Sequence, residues 1–305
     1  MATRAKALAG LPGVEDDYGL PGEPSWMEID WREHLHSAEI DGSTVNYVEL
    51  GEGPPIVFVH GLGGCWQNWL ENLPYFAQHH RVIAVDLPGF GRSELPRGEI
   101  SIPNYGRFID SLLRRLGVER ATLVGNSMGG FVSTEVAISF PTWVEKLVLV
   151  SAAGAHELPG KVNSRQALRA ASISQPLTDA VIKRAEFLAR RPRGRRLMLG
   201  MVCRYPERLS AAMTMEMIAG AGKPAFDDAL HSIFSYDFRD RLGEVSAPAL
   251  IIWGRNDMVV PVRCADIYER ALPDSRKLIM ESTGHVAMIE RAHTFNRTVA
   301  EFVRS

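Results

Sequence analysis

Apolar positions along this chain fall into two kinds of pattern. Residues 55–60, 81–86, 121–124, 146–151, 248–253 and 275–281 are short apolar runs bounded by turn residues. Such runs predict strands buried on both faces. Between them, residues 66–77, 105–116, 131–139, 262–272 and 293–303 bring apolar residues back every three or four positions, which predicts amphipathic helices. Gly117 stands where the second of these would be capped. Ahead of all of them, residues 37–41 and 45–50 flank Asp41-Gly42-Ser43, a hairpin signal. Strands alternating with helices imply right-handed crossovers and a mostly parallel sheet covered on both faces.

That alternation stops after Ala152. Residues 154–243 contain no strand-like run; helical stretches near 180–190, 195–203, 206–219 and 226–234 are interrupted by Pro176, Pro192, Gly194, Gly222 and Pro224. A helical block inserted at the end of a strand is expected to roof the crevice that open α/β sheets use for ligands. Leu188, Leu197, Met201, Met213, Met217 and Ile218 are its candidate inner wall. The domain expectation is therefore an arm over 1–36, a core formed by 37–153 and 244–305, and a cap over 154–243. Up to about Trp26 the arm is rich in Gly, Pro and charge without periodicity, and it reads as mobile or loosely packed.

Composition narrows the function classes. A chain of 305 residues, 46% hydrophobic, can bury a large core, and a net charge of −2 provides no nucleic-acid footprint. Cys65, Cys203 and Cys264 are scattered without metal-ligand spacing. No apolar run is long enough to span a bilayer, and the stretch after the N-terminus is broken by Gly10, Pro12 and Gly13, a poor signal peptide. A cytoplasmic protein without stable membrane insertion is expected.

The candidate chemistry centres on Gly125-Asn126-Ser127-Met128-Gly129-Gly130, between a predicted strand and a predicted helix. In a strand–turn–helix of this kind the turn lifts the serine hydroxyl clear of the sheet. The Met128 N–H then lies at a helix N-terminus, where it can donate to an oxyanion. The Leu62 N–H, in the loop after the first buried strand, is the second expected donor.

A serine hydroxyl needs a base, and the base needs an orienting partner. His285, in Ser282-Thr283-Gly284-His285 directly after the last predicted strand, is the candidate base. His60 competes, but its place beside Gly61 at the end of an apolar strand suits bracing of the oxyanion loop. Asp257, just past the strand over 248–253, is the candidate orienter. Asp86 also sits at a strand end; its loop, Pro88-Gly89-Phe90-Gly91, suits a tight structural turn.

Taken together, His60-Gly61, the Asp86–Ser93 loop, the Ser127 turn, Asp257 and Gly284-His285 resemble the α/β-hydrolase family over nearly all of residues 37–303. The resemblance implies the α/β-hydrolase fold: a mostly parallel eight-stranded sheet, flanking helices and a helical cap. It also implies a Ser127–His285–Asp257 triad with no metal or organic cofactor. Gly125–Gly130 and Phe295-Asn296-Arg297 further resemble enzymes that hydrolyse carbon–carbon bonds in ring-fission dienones. Unlike those enzymes, the chain has Leu62-Gly63-Gly64-Cys65 in its oxyanion loop and Val286 after the candidate histidine, and its cap arginines match no motif. The expected activity is hydrolysis of small to medium carboxylic esters. Dienone hydrolysis is the alternative, and a non-catalytic ligand-binding protein is the reading from another class.

Overall fold

A computed structural model of the chain describes residues 16–21, 25–155 and 184–305. Eight strands form one sheet in the order β1-β2-β4-β3-β5-β6-β7-β8. They are β1 (Leu35–Ile40), β2 (Ser43–Leu50), β3 (Pro55–Val59), β4 (Arg81–Val85), β5 (Ala121–Asn126), β6 (Val144–Val150), β7 (Ala249–Gly254) and β8 (Ser275–Met280). β1 and β2 pair as the expected hairpin, β2 pairs antiparallel to β4, and every other pairing is parallel.

The uninterrupted apolar runs are explained by two cores, one on each face. Along β3, Val57 and Val59 point into one core with Leu123, Leu147 and Ile251. Ile56 and Phe58 point into the other with Val124, Val148 and Ile252. After the single turn α1 (Leu73–Phe76), the long helices α2 (Ile102–Arg115) and α3 (Met128–Ser139) cover the first core, together with a shorter one at Arg263–Ala271. The second is covered by Trp69, Phe76 and the last helix, Ala292–Arg304. Phe58 lies 5.0 Å from Trp69 and 5.8 Å from Phe76, ring centroid to centroid. Each fully buried side chain of this size stabilises the fold by roughly 1.5–3 kcal/mol.

Three expectations are corrected. Residues 66–77 form a 3₁₀ turn at Trp66–Trp69 and a separate single helical turn at Leu73–Phe76. Asn72 lies between them, with its side-chain amide donating to Met288 O and Asn296 Oδ1. Residues 206–219 likewise divide at Leu209-Ser210, because the Ser210 hydroxyl caps a new helix, Ala211–Met217, through the Met213 N–H. The arm is not loose where it is described: Asp17, Tyr18 and Trp26 are buried, and the Trp26 indole N–H donates to Glu71 at 2.8 Å.

Candidate active site

Ser127 stands between the end of β5 and the start of α3, at φ 54° and ψ −118°. A non-glycine residue there carries about 1–3 kcal/mol of strain and persists only where its surroundings over-determine it. Here the Ser127 N–H donates to Val150 O at 2.9 Å, and its carbonyl accepts from the Phe131 and Ala153 N–H groups. The flanking glycines are required by close approach. A Cβ on Gly125 would lie 2.3 Å from Gly129 O, and one on Gly129 would lie 2.1 Å from Val59 O.

His285 and Asp257 come from the loops after β8 and β7. His285 Nδ1 lies 2.8 Å from Asp257 Oδ2, with both side chains almost wholly excluded from solvent. Asp257 Oδ1 accepts from the Val259 N–H at 2.8 Å and the Val260 N–H at 2.9 Å. A carboxylate only accepts, so this pairing puts the imidazole proton on Nδ1 and leaves the Nε2 lone pair available. The Asn126 amide donates to Val150 O at 3.1 Å and to His285 O at 3.2 Å. It thereby ties the histidine loop to the residue immediately before Ser127.

His60 is engaged on both ring nitrogens. The Leu87 N–H donates to Nε2 at 3.0 Å, so the ring proton is on Nδ1, 2.7 Å from Gly61 O. Burial pushes its pKa below the ordinary histidine value, against the opposing pull of Asp86. A neutral strut between two loops is the result. Asp86 serves the same loops: its carboxylate accepts from the Trp66 and Arg92 N–H groups and from the Asn46 amide. Gly61 lies against Ser127, where an added Cβ would come within 3.1 Å of the serine Cβ. Leu62 follows it, half-buried, and Met128 opens α3, where the first N–H groups of a helix have no partner within the helix.

The described part of the helical block, residues 184–243, reaches both loops. A Cβ on Gly220 would meet the Gly64 backbone at 2.5 Å, and one on Gly63 would meet the Phe226 ring at 3.3 Å. The His285 N–H donates to Val202 O at 2.8 Å. The expected apolar wall is corrected in part. Leu197 and Met201 are 68% and 69% exposed, whereas Met213 packs in the core. Leu188, Met217 and Ile218 are half-buried. Among the arginines, Arg190 pairs with Glu186 and Arg196 with Glu207, Arg191 stacks on Phe187, and Arg195 donates to Ala189 O and Glu207 O.

Two residues at this site went unnoticed in the sequence. Asn126 sits inside the serine motif, where the glycines, Ser127 and the Met128 N–H carry the roles read from the sequence. Glu290 is a buried carboxylate that directly follows the apolar run 286–289, and its position at the end of that run is its one signal in the sequence. Among the described residues, no group of three or more His, Cys, Asp or Glu side chains is placed to hold a metal ion. Nor is any helix among them long and apolar enough to cross a membrane.

Comparison with known proteins agrees with this architecture. The family model for the alpha/beta hydrolase fold matches residues 54–292. A 2-hydroxy-6-oxo-6-phenylhexa-2,4-dienoate hydrolase of Comamonas testosteroni is 29% identical over 88% of this chain and 94% of its own. The dihydrolipoyllysine-residue acetyltransferase component of the acetoin cleaving system of Pseudomonas putida is 31% identical over 88% of this chain and 68% of its own. Among solved structures, an N-acyl homoserine lactone degrading enzyme superposes with a TM-score of 0.69 at 27% identity, covering 88% of this chain and all of that one.

Proposed function

This chain belongs to the α/β-hydrolase family, and from that premise we propose that it is a cytoplasmic serine hydrolase of small to medium carboxylic esters. The observation that carries the reading is the 2.8 Å contact of His285 Nδ1 with Asp257, which leaves Nε2 as the available base, on a loop tethered to the Ser127 turn through Asn126. In this mechanism His285 Nε2 takes the Ser127 hydroxyl proton as Oγ attacks the ester carbonyl. Asp257 stabilises the imidazolium that forms. The Leu62 and Met128 N–H groups receive the tetrahedral oxyanion. His60 and Gly61 support the Leu62 peptide. Collapse of the tetrahedral species expels the alcohol, which leaves with the proton from His285. Water, deprotonated by the same nitrogen, then releases the acid and frees Ser127. None of these steps draws on a metal or organic cofactor.

We assign residues 154–243 as the cap of this site, an assignment supported by the contacts of Gly220 and Phe226 with the Leu62-Gly63-Gly64 loop. Residues 156–183 of that range lie outside the described residues.

Dienone carbon–carbon hydrolysis is the second reading, favoured by the Comamonas testosteroni relative. Among the described cap arginines, Arg190, Arg191, Arg195 and Arg196 make contacts within the cap, with the Arg190 and Arg196 side chains mostly exposed to solvent. The lactone-degrading structure fits the ester reading, because a lactone is a cyclic ester. The deciding experiment is a panel of p-nitrophenyl esters from acetate to octanoate, an acyl lactone and a 2-hydroxy-6-oxo-dienoate. Turnover of esters or lactone with little dienone cleavage is expected. Preferential dienone cleavage would establish the second reading, and turnover of none would leave a ligand-binding protein.

A further inference from the structure

Glu290 is fully buried, and both of its oxygens are engaged. Oε1 accepts from the Gly284 N–H at 2.9 Å and the Val286 N–H at 3.3 Å. Oε2 accepts from the Tyr18 hydroxyl at 2.5 Å, the Arg204 N–H at 2.7 Å and the Gly284 N–H at 3.0 Å. The peptides on either side of His285 thus end on one carboxylate, while the histidine's own N–H is held by Val202 O. Burial raises the Glu290 pKa and the converging donors lower it, with burial the larger effect. Every neighbour in this set is a donor, which is the demand a carboxylate meets and a carboxamide does not.

The fourth participant comes from the far end of the chain. Tyr18 is buried, and its hydroxyl accepts from the Tyr205 N–H at 2.6 Å while donating to Glu290. The residues around it are fastened on both sides. Gly19 N–H donates to Glu290 O, and Asp17 accepts from the Thr294 N–H and pairs with Arg291. Asp16 pairs with Arg208, and the Tyr18 ring packs edge-on against Tyr205 at 5.3 Å. One short stretch of the arm therefore joins residues 204–208 to the His285 loop.

We propose that Tyr18 and Glu290 form a positioning clasp, by which the N-terminal arm fixes the His285 loop and couples it to the seating of the helical block above. The proposal rests on the reading of His285 as the catalytic base. The clasp touches neither substrate nor reacting atoms. It acts by holding the N–H groups at 284 and 286, and through them the imidazole to which the catalytic reading assigns the Ser127 proton. Losing it lets the imidazole wander, which slows acylation and leaves ground-state binding largely as it was.

The test uses the full-length protein with Glu290→Gln, which keeps the shape but turns an NH₂ toward donors, and Tyr18→Phe, which removes one hydroxyl. For folded protein at 25 °C with a short aryl ester, the expected kcat falls about 10–100-fold in Glu290→Gln and about 3–10-fold in Tyr18→Phe, with KM within about twofold. Wild-type kcat in both variants, even with lowered melting temperatures, would show a purely structural contact and overturn the proposal. A second readout needs no turnover: the Nδ1 proton resonance of His285 in ¹⁵N-labelled protein. Its broadening or displacement in the variants supports the clasp, and an unchanged signal overturns it. If the wild type hydrolyses no ester yet the resonance responds, the clasp stands and the esterase reading fails. Should Glu290→Gln not fold, Tyr18→Phe carries both measurements.

Discussion

Asp257 meets His285 with one carboxylate oxygen and its own loop with the other: Oδ2 lies 2.8 Å from His285 Nδ1, and Oδ1 accepts from the Val259 and Val260 N–H groups. Both oxygens therefore face donors. In Asp257→Asn the amide must turn its NH₂ toward one of them. Keeping the loop bonds presents NH₂ to Nδ1, which forces the proton onto Nε2 and removes the base. The expected result is a loss of about 10⁴-fold in kcat, with a melting temperature near wild type. Steady-state kinetics with an aryl ester checks this, and a loss under tenfold would remove Asp257 from the orienting role.

Asn126 poses a complementary case, since its NH₂ donates to two carbonyls, Val150 O and His285 O. Asn126→Asp sets a carboxylate against both. Unmade buried hydrogen bonds cost about 1–3 kcal/mol, more where a charge is involved. The variant is expected to lose at least that in urea-unfolding free energy and to lose kcat beyond what the unfolded fraction explains. Wild-type values in both measurements would show that the tether between the serine turn and the histidine loop has no consequence.

His60 gives a dependence of stability on pH. Burial holds its folded pKa below the unfolded value of about 6.5. Below that pH the unfolded chain binds a proton that the folded chain refuses. The contribution is therefore fully present above about pH 6.5 and is lost as pH falls toward the folded pKa, at up to ~1.4 kcal/mol per pH unit. Gln at this position can accept from Leu87 N–H and donate to Gly61 O but does not titrate. Urea melts of wild type and His60→Gln between pH 7 and pH 5 should diverge, with the variant showing the shallower loss. Parallel slopes would mean that His60 is protonated as readily in the folded protein as in the unfolded chain.

Much of the fold was legible because its signals are local. The apolar runs at residues 55–60 and 121–124 have the two-sided burial that a central parallel strand requires, and both became strands. The serine turn announced itself through glycines whose absent side chains make room for passing backbone. Legibility failed where a residue's role is set by a partner remote in sequence. Tyr18 sits in a stretch with the composition of a loose arm, yet it is buried because its hydroxyl meets Glu290, 272 positions away. Leu197 and Met201 have the helical spacing of a pocket wall, but periodicity does not say which face of a helix meets the core: Leu197 faces outward from the helix Pro192–Leu199, and Met201 is exposed in the turn after it.

The central claim is that Ser127 is an acylated nucleophile. The direct measurement is intact-protein mass spectrometry after rapid mixing with p-nitrophenyl butyrate and acid quenching, followed by peptide mapping. The expected result is a single butyryl adduct of +70 Da on Ser127, forming with a stoichiometric burst of nitrophenol and absent from Ser127→Ala, whose kcat falls at least ~10³-fold while its fold is retained. Near-normal ester turnover by Ser127→Ala, or an adduct on another residue that forms at the burst rate, would contradict it.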